Sequence, residues 1–100
     1  MKRTVVRYRT EPEQAQENER LIEAVFEELW AKSPQGVRYL VLKLADGSFL
    51  HFASVEEGAS PVTALGAFQS FRKDIAARCI EPPQAADATV VGDYRMLTQQ

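Results

Sequence analysis

The chain contains 100 residues, of which 45% are apolar and 26% charged, and its formal net charge is −2. This length predicts one domain over residues 1–100 and excludes a two-domain enzyme with a separate cofactor module. With an isoelectric point of about 5.4, the chain lacks the excess of lysine and arginine that neutralises phosphates, so nucleic-acid binding is not expected. The longest apolar run, residues 39–42, has four residues, far below the ~20 that cross a bilayer, so no membrane association is expected.

The sequence contains one cysteine, Cys79, and one histidine, His51. A single cysteine forms no internal disulfide, which is typical of a reducing compartment. Lys2 and Arg3 are not followed by the apolar segment of a signal peptide, so we expect a cytoplasmic protein. One cysteine and one histidine cannot build a tetrahedral zinc site, and no glycine-rich phosphate loop occurs, so we expect no metal and no cofactor.

The first two elements are a strand and a long helix. Residues 4–10 are rich in β-branched and aromatic side chains and predict a strand. Thr10 and Glu13 have the spacing of a capping box, which indicates a helix over residues 12–32. The helix has one apolar stripe, made of Leu21, Ile22, Val25, Phe26 and Leu29.

Residues 37–44 and 49–55 predict two strands of a hairpin, with Asp46 and Gly47 as a two-residue type I′ turn. That turn fixes which residues face each other across the hairpin. The pairs expected on one face are Leu44 with Phe49, Leu42 with His51, and Leu40 with Ala53. The pairs expected on the other face are Tyr39 with Ser54, Val41 with Phe52, and Lys43 with Leu50. Both faces of the hairpin are therefore largely apolar.

The last third of the chain predicts a second helix and a final strand. Residues 67–79 have an apolar side at helical spacing, which consists of Phe68, Phe71, Ile75 and Cys79. The prolines within residues 81–83 cannot continue a helix and predict an extended connection. Residues 88–97 predict the last strand.

The order β-α-β-β-α-β is that of the ferredoxin-like α+β fold, in which two helices cover one face of a four-stranded antiparallel sheet. The hairpin is nevertheless apolar on both faces, and soluble proteins seldom leave such a patch in water. We therefore expect a homodimer in which two sheets pack face to face as a dimeric α+β barrel.

The chain resembles the dimeric α/β-barrel superfamily, which includes antibiotic biosynthesis monooxygenase-like proteins and stress-responsive barrel proteins. The residues that carry the resemblance are 4–9, the acidic amphipathic helix, the Asp46-Gly47 hairpin, residues 67–71 and residues 88–94. The resemblance implies a ferredoxin-like dimer and small-molecule chemistry.

Monooxygenases of this superfamily often use an asparagine on the first strand, a tryptophan near the barrel mouth and a histidine on the second helix. None of these residues carries over to this chain. The only asparagine, Asn18, and the only tryptophan, Trp30, lie in the first predicted helix, and residues 61–79 contain no histidine. These departures argue against haem ligation and against that oxygen chemistry, and they leave other reactions open.

His51 is the catalytic candidate, because an ordinary histidine has a pKa near neutrality, which suits proton transfer or a polar contact with a ligand. The alternative is a buried, hydrogen-bonded histidine within the sheet.

Three further residues are candidates for ligand binding. Arg7 either recognises an anionic group on a small ligand or pairs with an acid such as Asp93. Tyr8 and Tyr94 either donate hydrogen bonds to a ligand or pack with their hydroxyls at the rim of a cavity.

These candidate residues are compatible with three functions. The first is a cofactor-free homodimer that binds a small, partly apolar molecule in the barrel lumen or a side cleft. The second is an oxygenase, isomerase or cyclase that acts through His51 and Arg7, and the third is an accessory dimer without a ligand.

Overall fold

The computed structural model describes residues 1–97 and shows the predicted ferredoxin-like fold. Four strands form one antiparallel sheet in the order β2-β3-β1-β4. The strands are β1 (Lys2–Thr10), β2 (Val37–Lys43), β3 (Ser48–Val55) and β4 (Cys79–Asp87). The helices are α1 (Ala15–Lys32), α2 (Gly66–Arg72) and α3 (Ile75–Arg78), with short 3-10 turns at Pro12–Gln14 and Val62–Ala64. No helix in this described part of the chain is long and apolar enough to cross a membrane.

The start of the first helix differs from the predicted capping box. Thr10 still belongs to β1, where it pairs with Cys79, and its buried hydroxyl has no hydrogen-bond partner. The chain turns at Glu11 and Pro12 into the 3-10 turn, so α1 begins at Ala15 without a side-chain cap. Helix α1 ends at Lys32 as predicted, because Ser33 adopts the left-handed conformation.

The hairpin register is shifted by one residue from the predicted one. The Leu44 N–H donates to the Ser48 carbonyl at 2.8 Å, which leaves a three-residue loop over residues 45–47. Gly47 has a φ of +87°, as such loops require at their last position. His51 therefore pairs with Val41 and shares a face with Tyr39 instead of with Leu42.

The sheet has one face covered by helices and one open face. Tyr8, Phe49 and His51 lie on the covered face, where the core forms around them from Ile22, Val25, Val62, Leu65 and Phe71. The register places five apolar side chains together on the open face, namely Val5, Leu40, Leu42, Leu50 and Phe52. Of these, Leu40 and Leu42 are 44% and 46% exposed. Both faces of the hairpin are therefore apolar, as predicted.

The C-terminal third is the largest correction. The predicted helix over residues 67–79 breaks at Lys73 and Asp74, and Asp74 adopts a φ of +61°. The fourth strand is Cys79–Asp87 and not residues 88–97, which are neither helix nor strand. Prolines within residues 81–83 are compatible with this strand because β4 lies at the edge of the sheet.

Replacing Gly47 with alanine tests the positive φ of this residue in the hairpin loop. We expect Gly47→Ala to lower the free energy of unfolding by about 1–2 kcal/mol, because a Cβ is disfavoured at positive φ. Urea denaturation measures the change, with Gly66→Ala as the matched control. Gly66 opens α2 in open space, so its replacement should leave stability unchanged or slightly raised. Equal effects of the two substitutions would contradict the loop geometry.

Candidate functional site

A cavity of about 960 Å³ lies between the covered face of the sheet and α2. Its walls are mainly apolar and include Val6, Ala53, Val55, Phe68, Ile75 and Ala85. The cavity exists because α2 ends at Arg72, so the helix layer leaves part of the sheet uncovered next to β4. Its size and lining are typical of sites that enclose a small molecule.

Helix α2 is held in place by α1. The Glu28 carboxylate accepts a hydrogen bond from the Ala67 N–H at 2.9 Å and pairs with Lys32 at 2.6 Å. The Lys32 ammonium and the Ala67 N–H lower the pKa of this carboxyl. Glu28 thus anchors the start of α2, whose aromatic side chains form one wall of the cavity.

Three polar side chains line the cavity together, with His51 between two tyrosines. The Tyr8 hydroxyl lies 2.7 Å from His51 Nε2, and the Tyr39 hydroxyl lies 2.6 Å from His51 Nδ1. The three residues come from β1, β2 and β3, whose register places their side chains on the covered face. Both ring nitrogens of the histidine are therefore occupied.

Two further residues extend this network away from the cavity. Asn18 is fully buried and donates from Nδ2 to the Tyr8 hydroxyl at 2.9 Å. The Arg78 Nε donates to Asn18 Oδ1 at 3.1 Å. Arg78 also donates to the carbonyls of Phe71 at 2.7 Å and Lys73 at 3.2 Å, so its cation lies at the carbonyl-rich end of α2.

Aromatic packing fixes the orientation of the site. Tyr8 stacks on Phe49 with ring centroids 5.4 Å apart, and Tyr39 stacks on Phe26 at 5.3 Å. Phe71 lies 5.2 Å from the His51 ring. The polar atoms are therefore held in place before any ligand binds.

The side chains of Tyr8, His51 and Tyr39 are uncharged at neutral pH. Burial lowers the pKa of His51 from 6.5 to about 4 and raises the pKa of Tyr8 and Tyr39 above the ordinary value of 10. The site can therefore exchange hydrogen bonds with a polar group on a ligand, but it carries no charge of its own on these residues.

The structure brings two of the four predicted ligand-binding residues together, His51 and Tyr8. Arg7 lies on the open face of the sheet, where it pairs with Asp46 at 3.4 Å and donates to Ser48 Oγ at 3.1 Å. Its acidic partner is thus Asp46 and not the expected Asp93.

Tyr94 lies in residues 88–97, which are neither helix nor strand, and it does not line the cavity. Its side chain is exposed, and its ring contacts the guanidinium of Arg95. Trp30, the only tryptophan, is 81% exposed on α1 and does not line the cavity. Cys79 is half-buried, and burial raises the pKa of its thiol, so it is not an activated nucleophile. Within residues 1–97, no group of three histidine, cysteine or acidic side chains could hold a metal ion.

Sequence reasoning missed Tyr39, Asn18 and Arg78. Tyr39 was assigned to the wrong face because the predicted hairpin turn was one residue too short. Asn18 could have been found, because it precedes Ile22 and Val25 at helical spacing on the buried stripe. Arg78 had no such signal, since its burial depends on the break after α2.

Proteins of known structure share this fold. Protein Rv0793 of Mycobacterium tuberculosis superposes with a TM-score of 0.71 at 15% identity, over 92% of this chain and 96% of that one. A putative antibiotic biosynthesis monooxygenase from Nitrosomonas europaea superposes with a TM-score of 0.71 at 13% identity, over 90% and 89% of the two chains. Another, from Caulobacter crescentus CB15, gives 0.67 at 13% identity, over 91% and 90%.

The chain therefore has the fold of antibiotic biosynthesis monooxygenase-like proteins, as the sequence resemblance implied. No family model and no curated protein matches the sequence. Identities of 13–16% establish a shared fold and do not transfer an activity.

The low pKa of His51 is directly measurable, because its ring protons belong to the only histidine in the chain. An NMR titration should give a pKa of about 4 in the folded protein, since charging the ring requires burying a cation. A value near 6.5 would show that the ring is solvated.

The lowered pKa of His51 also makes the free energy of unfolding depend on pH. The unfolded chain binds a proton at His51 near pH 6.5 and the folded chain only near pH 4, so stability is lost as pH falls between these values. This one group should contribute a loss of about 3 kcal/mol in the free energy of unfolding. His51→Gln should remove that part of the pH dependence. Urea denaturation from pH 7.5 to pH 4 measures both proteins, and equal slopes would contradict the assignment.

Proposed function

We propose that the protein binds a small, predominantly apolar molecule in the cavity between the sheet and α2. The observation that carries the proposal is the hydrogen-bonded group of Tyr8, His51 and Tyr39 at a mainly apolar wall. Apolar walls supply affinity by removing ligand surface from water, and a few fixed polar atoms set its orientation. The site lies between sheet and helices, which corresponds to the side cleft among the sequence-based alternatives and not to the barrel lumen.

An enzymatic role is the second candidate, and the neutral His51 favours it. Both ring nitrogens of His51 are bonded to phenols, so a proton would be exchanged with a bound substrate through the Tyr39 hydroxyl, since Tyr39 lines the cavity. One protein of the same fold is named as an antibiotic biosynthesis monooxygenase and two others as putative ones, which supports small-molecule chemistry in this architecture. An oxygenase, isomerase or cyclase would use the same cavity, so binding is tested first.

Binding is tested with 2-acetylnaphthalene, a small apolar probe with one polar group, by NMR titration of the protein. Ala85→Trp should weaken binding at least tenfold, because the indole would occupy space next to Val6 in the cavity. Ala77→Trp is the matched control, since Ala77 is exposed on α3 and does not line the cavity. Native mass spectrometry of the purified protein complements the titration by detecting a retained ligand as added mass.

The proposal fails if the probe does not bind, or if both tryptophan variants bind it as tightly as the original protein. A cavity that takes up neither this probe nor a retained ligand would favour the third function, an accessory dimer without a ligand.

We also infer that the protein is a homodimer joined through the open face of the sheet. The open face carries an apolar patch of Val5, Leu40, Leu42, Leu50 and Phe52, in which Leu40 and Leu42 are 44% and 46% exposed. Such a patch on a sheet face is typical of an interface, and a second copy would bury it symmetrically.

Sedimentation velocity at micromolar concentration tests the dimer. Leu42→Asp should give monomers, because it would place a carboxylate inside an apolar interface. Trp30→Asp is the matched control, because Trp30 is an exposed apolar side chain on α1, away from the sheet face. A monomeric original protein, or dimers in both variants, would contradict the proposed interface.

We place the protein in the cytoplasm on the basis of its single cysteine. Cys79 is a free, half-buried thiol, and such a residue is typical of a reducing compartment. Cell fractionation with an antibody against the protein checks this location.

A further inference from the structure

We propose that Arg78, acting through Asn18, fixes the direction of the hydrogen-bond chain so that the Tyr39 hydroxyl is a donor toward the cavity. The ligand class that follows is a molecule whose polar end is an acceptor oxygen such as a carbonyl. This ligand class rests on the proposed function, whereas the direction of the chain does not. Asn18 and Arg78 are positioning residues, since neither lines the cavity.

The direction is set at Arg78, because a guanidinium has only hydrogen-bond donors. Its Nε therefore donates to the carbonyl oxygen of Asn18, and the amide nitrogen of Asn18 is the atom that faces Tyr8. The assignment of oxygen and nitrogen on an asparagine is otherwise ambiguous, but this contact removes the ambiguity. Asn18 consequently donates to the Tyr8 hydroxyl.

The single hydroxyl proton of Tyr8 then has one acceptor within reach, His51 Nε2 at 2.7 Å. With Nε2 accepting, the neutral ring carries its proton on Nδ1 and donates to the Tyr39 hydroxyl at 2.6 Å. The proton of the Tyr39 hydroxyl has no acceptor among residues 1–97, and Tyr39 lines the cavity.

The opposite direction is disfavoured by burial. If His51 carried its proton on Nε2, Tyr8 would accept two hydrogen bonds and its own proton would have no acceptor in the described chain. Tyr8 is 1% exposed, whereas Tyr39 is half-buried. A hydroxyl proton without an acceptor therefore costs less free energy on Tyr39 than on Tyr8. Leaving a buried donor unpaired is costly compared with leaving one that a ligand or water can reach.

The protonation states are consistent with this direction. Burial lowers the pKa of His51 to about 4, so the ring carries one proton at neutral pH. Burial also raises the pKa of both tyrosines, so both hydroxyls keep their protons. Each hydrogen bond of the chain therefore has one donor and one acceptor.

The tautomer of His51 tests the direction without any ligand. At pH 8, the imidazole ¹⁵N resonances should show a protonated Nδ1 and an unprotonated Nε2, because these two kinds of ring nitrogen have well-separated shifts. The chain contains one histidine, so the signals are unambiguous. An Nε2-protonated ring in the original protein overturns the proposal.

Asn18→Asp should reverse the chain. A carboxylate only accepts hydrogen bonds, so it would take one from Arg78 and one from the Tyr8 hydroxyl. His51 would then donate from Nε2 and accept from Tyr39 at Nδ1, which removes the donor from the cavity. The substitution is nearly isosteric and gives the Arg78 guanidinium a carboxylate partner, so the variant should fold. Amide NMR spectra of each variant check its fold.

Gln16→Glu is the matched control, because it makes the same chemical change at an exposed position of α1. It should leave the Nδ1 proton of His51 in place. An unchanged tautomer in a folded Asn18→Asp variant, or an equal change in both variants, overturns the role of Arg78 and Asn18.

The ligand class is tested with two probes that differ in one group, 2-acetylnaphthalene and 2-ethylnaphthalene. The original protein should bind the ketone about five- to tenfold more tightly, as expected for one neutral hydrogen bond. Asn18→Asp should abolish this preference, and Gln16→Glu should retain it. Equal affinities of the original protein for both probes overturn the ligand class. If neither probe binds, the proposed function fails, and the tautomer measurement still decides the direction of the chain.

Discussion

The hydrogen-bond chain from Arg78 through Asn18 and Tyr8 to His51 and Tyr39 connects most of the fold. It joins three neighbouring strands to α1 and to the end of α2. Buried polar groups of this kind are stable only when each has a partner, so the chain constrains strand register and helix position together. The same contacts hold one wall of the cavity in place, because Arg78 donates to the carbonyls of Phe71 and Lys73 at the end of α2.

The neutrality of this network determines what the cavity can accept. Two phenols and an uncharged imidazole offer directional hydrogen bonds without a strong field, which suits a largely apolar ligand with one polar group. The charged Arg7 lies on the other side of the sheet, paired with Asp46. The two faces therefore differ in role, with the covered face holding the candidate site and the open face suited to a second copy.

The fold could be predicted from the sequence, and so could two of the three hydrogen-bonded residues that line the candidate site. Periodic apolar patterns located α1 and the hairpin, and His51 and Tyr8 were among the candidates. Tyr39 was assigned to the wrong face because one additional loop residue moves every side chain of a strand to the opposite face relative to its partner strand. The Asp46-Gly47 sequence is compatible with either loop length, so it could not decide between them. The final strand was misplaced because proline excludes a central strand but not an edge strand, and strand order is a property of the whole sheet.

The position of a bound probe tests the central claim most directly. Intermolecular NOEs from 2-acetylnaphthalene should connect its acetyl methyl group to the single histidine ring, His51, and its naphthalene ring to Phe68, because both residues line the cavity. NOEs to Leu40 and Leu42 instead would place the ligand on the open face of the sheet. That result would contradict a binding site between sheet and helix.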